Sequence, residues 1–381
     1  MKFIVNRNLL LQALQHTRCY MKPGIFIFAN YFKMVIVDNT LLISGTDYSM
    51  FITESIKLET PPIENQERPF YVHATRIMKA IKALDQQPLE FEVGEYQLTV
   101  HHAEGYFQLP ISDCTFPEPK TITMEEAITL HMEAPGLHSQ LSKVAFATAD
   151  DELRPVMTGI SIEIERDQII YVASDGHILV RLIKPHQAYD GPTGQFIMPR
   201  PIANTLIKIL PKTGYCDLYF QGKLGKIIID NNITLQFEFI DGRFPSYRSV
   251  MPENFDTCFN VDRKQILKCL SRLSIFSSDR HTVKIKLESP DQLSFVSREI
   301  DEQVLSSEHI TCQIVRQCES FRRGLLLNIR LLTQLIKSIT SDRIVFNVQD
   351  SDHAFTLTPL PESDIEHVTC LLMPILQGDD E

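Results

Sequence analysis

Several places in this chain bring together residues that could do chemistry. Asp175 and His177 stand two apart in VASDGHILV and could exchange a proton as an acid/base pair. Such a pair needs a nucleophile to activate, and no serine or cysteine motif accompanies it, so an Asp-Gly turn is the expected role. Asp150-Asp151 and Asp350-Ser351-Asp352 could approach a cation. Neither is followed by the glycine and distal glutamate of a calcium loop, and they read as a loop at a helix end and a hairpin turn between RIVFNV and HAFTLTP. His101-His102 sits in a strand-like stretch ahead of a Glu-Gly turn and reads as surface. No GxxxxGK[ST] cradle occurs, so any use of ATP would belong to a partner. The eight cysteines are scattered without a CxxC, which suits reduced, mostly buried thiols rather than a disulfide framework or a zinc site. The expectation is a chain with no catalytic residue, no metal and no cofactor.

The elements around these residues repeat three times. A strand-like opening followed by an apolar-periodic helix appears as MKFIVNRNLLLQALQHT from Met1, ITLHMEAPGLHSQLSKVAFAT from Ile128 and TCFNVDRKQILKCLSRLSIF from Thr257, at a spacing close to 128 residues. A second such unit recurs as PFYVHATRIMKAIKAL from Pro69, GQFIMPRPIANTLIKIL from Gly194 and RGLLLNIRLLTQLIKSI from Arg323. Self-similarity at a fixed period sets the architecture. The chain should therefore hold three tandem domains of one design, 1–124, 125–253 and 254–381. Between the helices, runs such as MVIVDNTLLISGTD and VKIKLESPDQLSFVS alternate apolar and polar residues around turn residues, the signature of antiparallel hairpins. An α+β fold follows, each domain laying two helices on antiparallel sheets.

Length and composition agree. At 381 residues and 44% hydrophobic the chain can fill roughly three cores of ~100–150 residues each. No apolar run approaches the ~18–20 residues of a spanning helix, and MKFIVNRNLL reads as a first strand rather than a signal peptide. A cytoplasmic protein with no membrane partner is expected.

Charge is distributed unevenly. The formal net charge of −11 argues by itself against a nucleic-acid partner. Yet segments 6–22, 69–84, 136–149, 200–212, 261–272 and 322–338 carry +3, +3, +1, +3, +3 and +4, together +17, which leaves −28 for the remainder. Five of the six contain no Asp or Glu; Asp262 is the exception. Ordinary surface helices mix signs. A systematic lack of acid implies that all six helices face one polyanion, through Arg7, Arg18, Lys22, Arg76, Lys79, Lys143, Arg200, Lys208, Lys268 and Arg330. On the helix after His73 the apolar set Ile77, Ala80, Ile81 and Leu84 leaves Arg76, Lys79 and Lys82 outward. Farther along, Leu331, Leu332, Leu335, Ile336 and Ile339 form a buried stripe with Arg330 and Lys337 outside it. Such an array contacts phosphates without reading sequence.

Four strings carry a resemblance to a known family: MKFIVNRNLLLQAL at the start, VASDGHILV at 172–180, FIDGRFPSYRSVMP at 239–252 and LLMPI at 371–375. With these in this order the chain resembles the bacterial DNA polymerase III beta subunit family, the sliding clamps, over essentially its whole length. The resemblance implies a non-catalytic processivity factor. A head-to-tail homodimer would close six domains into a ring around double-stranded DNA, helices inward. It would slide without sequence preference and tether the replicative DNA polymerase catalytic subunit, an ATP-dependent clamp loader and other proteins with short clamp-binding motifs. It further implies a partner-peptide pocket of Met157, Ser174, Gly176, His177, Leu179, Pro245, Val250, Met373, Pro374 and Ile375. The implied dimer interface comprises Arg76, Ile77, Tyr106, Gln108, Ile275 and Phe276.

The chain departs from the family pattern in places. Ile178 follows the DGH where an arginine is common, and Leu376 replaces a basic residue near the end, so two pocket-edge cations are missing. PGIFIFANYF replaces the usual Pro-Ile-Leu turn after the first helix, and a basic residue is absent at Thr75. Two other readings compete with a clamp: a divergent paralogue kept as a peptide-binding scaffold without DNA encirclement, and an enzyme centred on Asp175 and His177. The acid-free helices count against the first and the missing nucleophile against the second.

Overall fold

The computed structural model describes residues 1–21, 26–63, 68–151, 153–186, 190–252, 254–277, 281–299, 304–316 and 323–376. Among these lie six α-helices, α1 (Arg7–Arg18), α2 (Ala74–Ala83), α3 (Ala134–Val144), α4 (Arg200–Ile209), α5 (Arg263–Leu273) and α6 (Ile329–Ser338). A strand runs directly into each, as the repeated strand-then-helix pattern predicts. The junctions are fixed by short polar side chains. Asn6 Oδ1 accepts the N–H of Asn8 at 3.0 Å, Asp262 Oδ1 that of Gln265 at 2.7 Å, and Asn328 Oδ1 that of Arg330 at 2.9 Å. Each satisfies a donor that the first helical turn leaves without a partner.

The helices are amphipathic as expected. In α2, Ala74, Ile77 and Ile81 are buried while Arg76, Lys79 and Lys82 are exposed. In α6, Leu332, Leu335 and Ile336 are buried and Arg330 and Lys337 exposed, with Leu331 only half-buried. No described helix is long and apolar enough to cross a membrane.

Two compact units emerge, residues 1–138 with 201–239, and residues 139–200 with 240 onward. The first holds a thirteen-stranded sheet running from Ile128–Glu133 at one edge to Thr60–Ile63 at the other. Its core includes Phe3, Leu10, Leu14, Phe32, Ile77, Ile81 and Phe91, with α1 and α2 packed together on it. The second holds a twelve-stranded sheet from Gly194–Pro199 to Leu325–Asn328, on which α5 and α6 pack. Every strand pairing is antiparallel. The repeat is visible in the cores: Phe3 stacks on its cross-strand partner Phe91 at 5.1 Å, and Phe259 on its partner Phe346 at 5.0 Å.

The units do not coincide with the sequence repeats. In the first unit, strand Met50–Lys57 pairs with Ile233–Glu238, matching Ile52 to Leu235 and Phe51 to Gln236. In the second, Ile178–Pro185 pairs with His367–Leu372, matching Leu179 to Leu371. Backbone hydrogen bonding thus crosses from one repeat to the next, and the middle repeat contributes strands to both sheets.

One expected polyanion contact has a different task. Arg7 donates from Nε to the Ile81 carbonyl at 3.0 Å and from Nη2 to that of Lys82 at 2.8 Å, at the end of α2. Arg263, at the start of α5, does the same to Ile336 at 3.1 Å and Lys337 at 3.2 Å at the end of α6. Both guanidiniums fill acceptors that a helix end leaves open, where a positive charge is also favoured by the helix dipole. Arg7→Ala and Arg263→Ala should each cost about 1 kcal/mol of stability, seen as a lower thermal midpoint by circular dichroism. An unchanged midpoint would return Arg7 to the set of free surface cations.

Candidate functional site

In the second unit the Asp-Gly turn is built by local hydrogen bonds. Asp175 Oδ1 accepts the N–H groups of His177 and Ile178, both at 2.8 Å. Ser174 Oγ accepts from Gly176 N at 3.2 Å and donates to the Ile178 carbonyl at 2.7 Å. Gly176 has φ +94°, a conformation glycine adopts without steric cost. Asp175 Oδ1 thus caps the turn, the role that the Asp-Gly pattern predicts. Asp350 is used similarly, accepting from the N–H groups of Asp352 and His353 at 2.9 and 2.8 Å.

Two other segments converge on this turn. The chain end is tied to it by Met373 N donating to the His177 carbonyl at 2.9 Å. Beneath lies a small core in which Leu179 packs with Val172, Phe244, Tyr247 and Leu371, flanked by Val156 and Met251. The turn, the chain end and the loop around Phe244 therefore bring Ser174, Gly176, His177, Leu179, Pro245 and Met373 to one region, while Ile375 N donates to the Leu326 carbonyl at 2.8 Å. Leu179 at 3% and Met157 at 7% exposure lie too deep to be more than floor. Pro374 is buried as well. Met157 belongs to the short turn Pro155–Thr158, whose Val156 reaches the core. Val250, Met373 and Leu376 are 54%, 43% and 73% exposed, an apolar surface of the sort that marks an interaction site. Phe244, Tyr247 and Leu371 are not among the pocket residues expected from sequence, although the FPSYR and LLMPI strings contain them; Ala354, in the same core, gives no signal in sequence.

Beside this region lies an open groove of about 550 Å³, bordered by Glu163, Glu165, Gln195 and the loop from Arg243 to Arg248. Arg248 Nη2 donates to Glu163 Oε2 at 2.8 Å and Glu165 Oε1 at 3.1 Å. Burial pushes the Glu163 carboxyl above the usual range, and Arg248 opposes that shift.

The basic helices divide. Arg76, Lys79, Lys208, Lys268 and Arg330 are exposed. Arg18 is half-buried and donates to Thr75 Oγ1 and the Met21 carbonyl, both at 3.2 Å. Lys143 does not face outward: it is 8% exposed and paired with Glu366, since a buried ammonium requires a counter-charge. Arg200 is paired with Asp150. Lys22 lies outside the described residues. Of the expected interface residues, Tyr106 and Ile275 are 64% and 75% exposed, Phe276 is 47% exposed, and Arg76 and Gln108 are exposed too. Ile77 is fully buried in its own core and cannot meet a partner.

Seven cysteines lie among the described residues and all are free thiols; Cys318 lies outside them. Burial pushes the Cys216, Cys269 and Cys370 thiols up to about 12.

Models of the DNA polymerase III beta subunit match in three parts: the N-terminal domain over residues 1–116, the central domain over 131–246 and the C-terminal domain over 248–375. A beta sliding clamp of Pseudomonas putida is 23% identical over 375 residues, covering 97% of this chain and 98% of the relative. One from Synechococcus elongatus is 26% identical over 293 residues, 74% and 75% of the two chains. Among solved structures, a sliding clamp from Pseudomonas aeruginosa bound to griselimycin superposes with a TM-score of 0.89 at 21% identity, covering 99% of this chain and all of that one. The beta subunit from Thermotoga maritima gives 0.87 at 20% identity with the same coverage.

The turn can be tested directly. Asp175→Ala should cost about 1–2 kcal/mol, because two backbone N–H groups lose their acceptor, whereas Asp175→Asn keeps Oδ1 and should be near neutral. Thermal unfolding of both variants decides this, and equal losses would exclude the turn-capping role.

Proposed function

The chain belongs to the DNA polymerase III beta subunit family, and from that membership we propose a homodimer that closes around double-stranded DNA and carries the replicative polymerase along it. The protein is a DNA sliding clamp, a non-catalytic processivity factor. Its three clamp domains are proposed to meet near residues 124–125 and 253–254, and its compartment to be the cytoplasm.

One observation carries the dimer. In the first two repeats the third strand after the first helix joins the closing strand of the next repeat: Met50–Lys57 to Ile233–Glu238, and Ile178–Pro185 to His367–Leu372. The corresponding strand of the third repeat, Val304–Arg316, is bonded over 304–311, among the described residues, on one side only, to Gln292–Glu299. The closing strand of the first repeat, Gly105–Ser112, is likewise bonded, among the described residues, on one side only over 105–110. By the same rule a second copy supplies the missing neighbour of each, head to tail. Tyr106 and Gln108 lie on one of these edges, and the exposed Ile275 and Phe276 follow α5.

The exposed cations Arg76, Lys79, Lys208, Lys268 and Arg330 would then meet phosphates weakly and interchangeably, which sliding requires. Retention would come from topology rather than affinity. The region around the Asp175 turn, Pro245, Val250 and Met373–Ile375 is proposed to take short apolar peptides from the polymerase, an ATP-dependent clamp loader and other partners.

The protein loaded on nicked circular DNA should persist there and dissociate when the circle is cut; loss at equal rates from both forms would rule out encirclement. Replacing the five exposed cations by serine should lower the salt slope of DNA association by about 0.9 for each phosphate no longer neutralised, alike for all sequences. The double substitution Ile275→Ala/Phe276→Ala should raise the dimer dissociation constant roughly a hundredfold, as loss of about 3 kcal/mol of apolar burial implies. Light scattering checks this, and a wild-type chain that is monomeric at micromolar concentration would remove the basis for a closed dimer.

A further inference from the structure

The loop that carries Pro245 and Val250 is held to its sheet by two different means. Phe244 and Tyr247 are 4% and 5% exposed and sit in the small core that also contains Leu179, so packing pins the middle of the loop. Its flank at Ser246 and Arg248 is exposed and borders the open groove, where polar bonds must do the holding. Backbone bonds within the loop join Tyr247 N to the Pro245 carbonyl at 2.7 Å and Ser249 N to that of Ser246 at 3.3 Å, and neither reaches the sheet. Among the described residues, the side-chain bonds from 242–250 to the sheet come from Tyr247 and Arg248. The Tyr247 hydroxyl donates to Glu163 Oε2 at 3.3 Å and accepts from Arg248 Nε at 3.3 Å. Arg248 also spans Glu163 and Glu165 through Nη2, and its guanidinium carbon lies 5.7 Å from the centre of the Tyr247 ring.

The two acceptors are themselves fixed. Glu163, on strand Gly159–Ile164, accepts from Gln195 Nε2 on Oε1 at 3.4 Å, and Glu165 accepts from Gln168 Nε2 on Oε2 at 2.6 Å. Gln195 and Gln168 belong to the two strands that flank Gly159–Ile164. Each carboxylate thus gives one oxygen to a glutamine of an adjoining strand and the other to Arg248. The Glu163 side chain is only 14% exposed, and a carboxylate so enclosed requires a charged partner.

We propose that Arg248 is a positioning residue for the peptide region: through Tyr247, Glu163 and Glu165 it fixes the loop, and with it Pro245 and Val250, before any peptide arrives. A wall that is already ordered lowers the cost of binding, so these bonds act on affinity without touching the ligand. The role rests on the reading of the Asp175 region as a peptide site.

The probe is a fluorescein-labelled synthetic peptide with a central Leu-Phe pair, titrated against the full chain by fluorescence anisotropy. Hydrogen exchange of the free protein is followed in parallel at the amides of Tyr247 and Ser249. Arg248→Ala should weaken peptide binding about tenfold, the loss expected when a preorganised wall becomes mobile, and should speed exchange at both amides. Arg248→Lys, which keeps the charge but cannot span both carboxylates and the hydroxyl, should recover part of each. Glu163→Gln should also weaken binding, and the Arg248→Ala/Glu163→Gln double variant should lose no more than Arg248→Ala alone, because the two act as one unit. An Arg248→Ala variant that binds as wild type does overturns the inference alone. So does weaker binding with unchanged exchange and an unaffected Glu163→Gln, since Arg248 would then touch the peptide itself. A wild type that binds no peptide overturns the pocket reading and the inference together.

Discussion

Hydrogen bonding between the last free strand edge of one repeat and the closing strand of the next is the constraint on which the rest of this structure depends. An edge strand presents a row of unpaired donors and acceptors. The Met50–Lys57 and Ile178–Pro185 joints each close one such edge by fusing sheets across repeats, so each compact unit is larger than any one repeat and takes part of the middle one. The Asp175 turn sits at one end of a joint strand, and its floor is the joint itself, Leu179 against Leu371. A peptide site at such a place inherits rigidity from the ladder beneath it, which lowers the ordering cost of binding.

Charge is governed by position in the same way. The helices carry the cations, but the fold withdraws some of them from solvent: Arg7 to the end of α2, Lys143 to Glu366, Arg200 to Asp150. What remains exposed includes Arg76 and Lys79 on α2, Lys208 on α4, Lys268 on α5 and Arg330 on α6. Solvated cations screened by salt hold a polyanion loosely, which is the kind of contact a sliding clamp can use.

The Asp175 turn recurs in the first unit, where Asp47 Oδ1 accepts the N–H groups of Ser49 at 3.1 Å and Met50 at 3.2 Å, and Thr46 Oγ1 accepts from Tyr48 N at 2.9 Å and donates to the Met50 carbonyl at 2.7 Å. Glycine stands at the corner of one turn and Tyr48, with φ +83°, at the corner of the other. The exposed Tyr48 ring lies 6.0 Å from Phe26 and 6.4 Å from Phe28.

The sequence by itself determined the threefold repeat, the antiparallel hairpins, the six amphipathic helices and the turn role of Asp175, because these depend on periodicity and on hydrogen bonds within a few residues. It could not place Arg7, Lys143 or Ile77. Arg7 and Lys143 look like any basic residue on a helix until a carbonyl end 74 residues away, or a carboxylate 223 residues away, is brought beside them. Spacing puts Ile77 on an apolar face, whereas resemblance puts it at an interface; burial in its own core decides between the two. Phe244, Tyr247 and Ala354 became floor residues only because the loop, the turn and the closing strands fold onto one core. Long-range pairing is set by the whole chain's competition for edges and buried surface, and no local pattern encodes which distant strand will win.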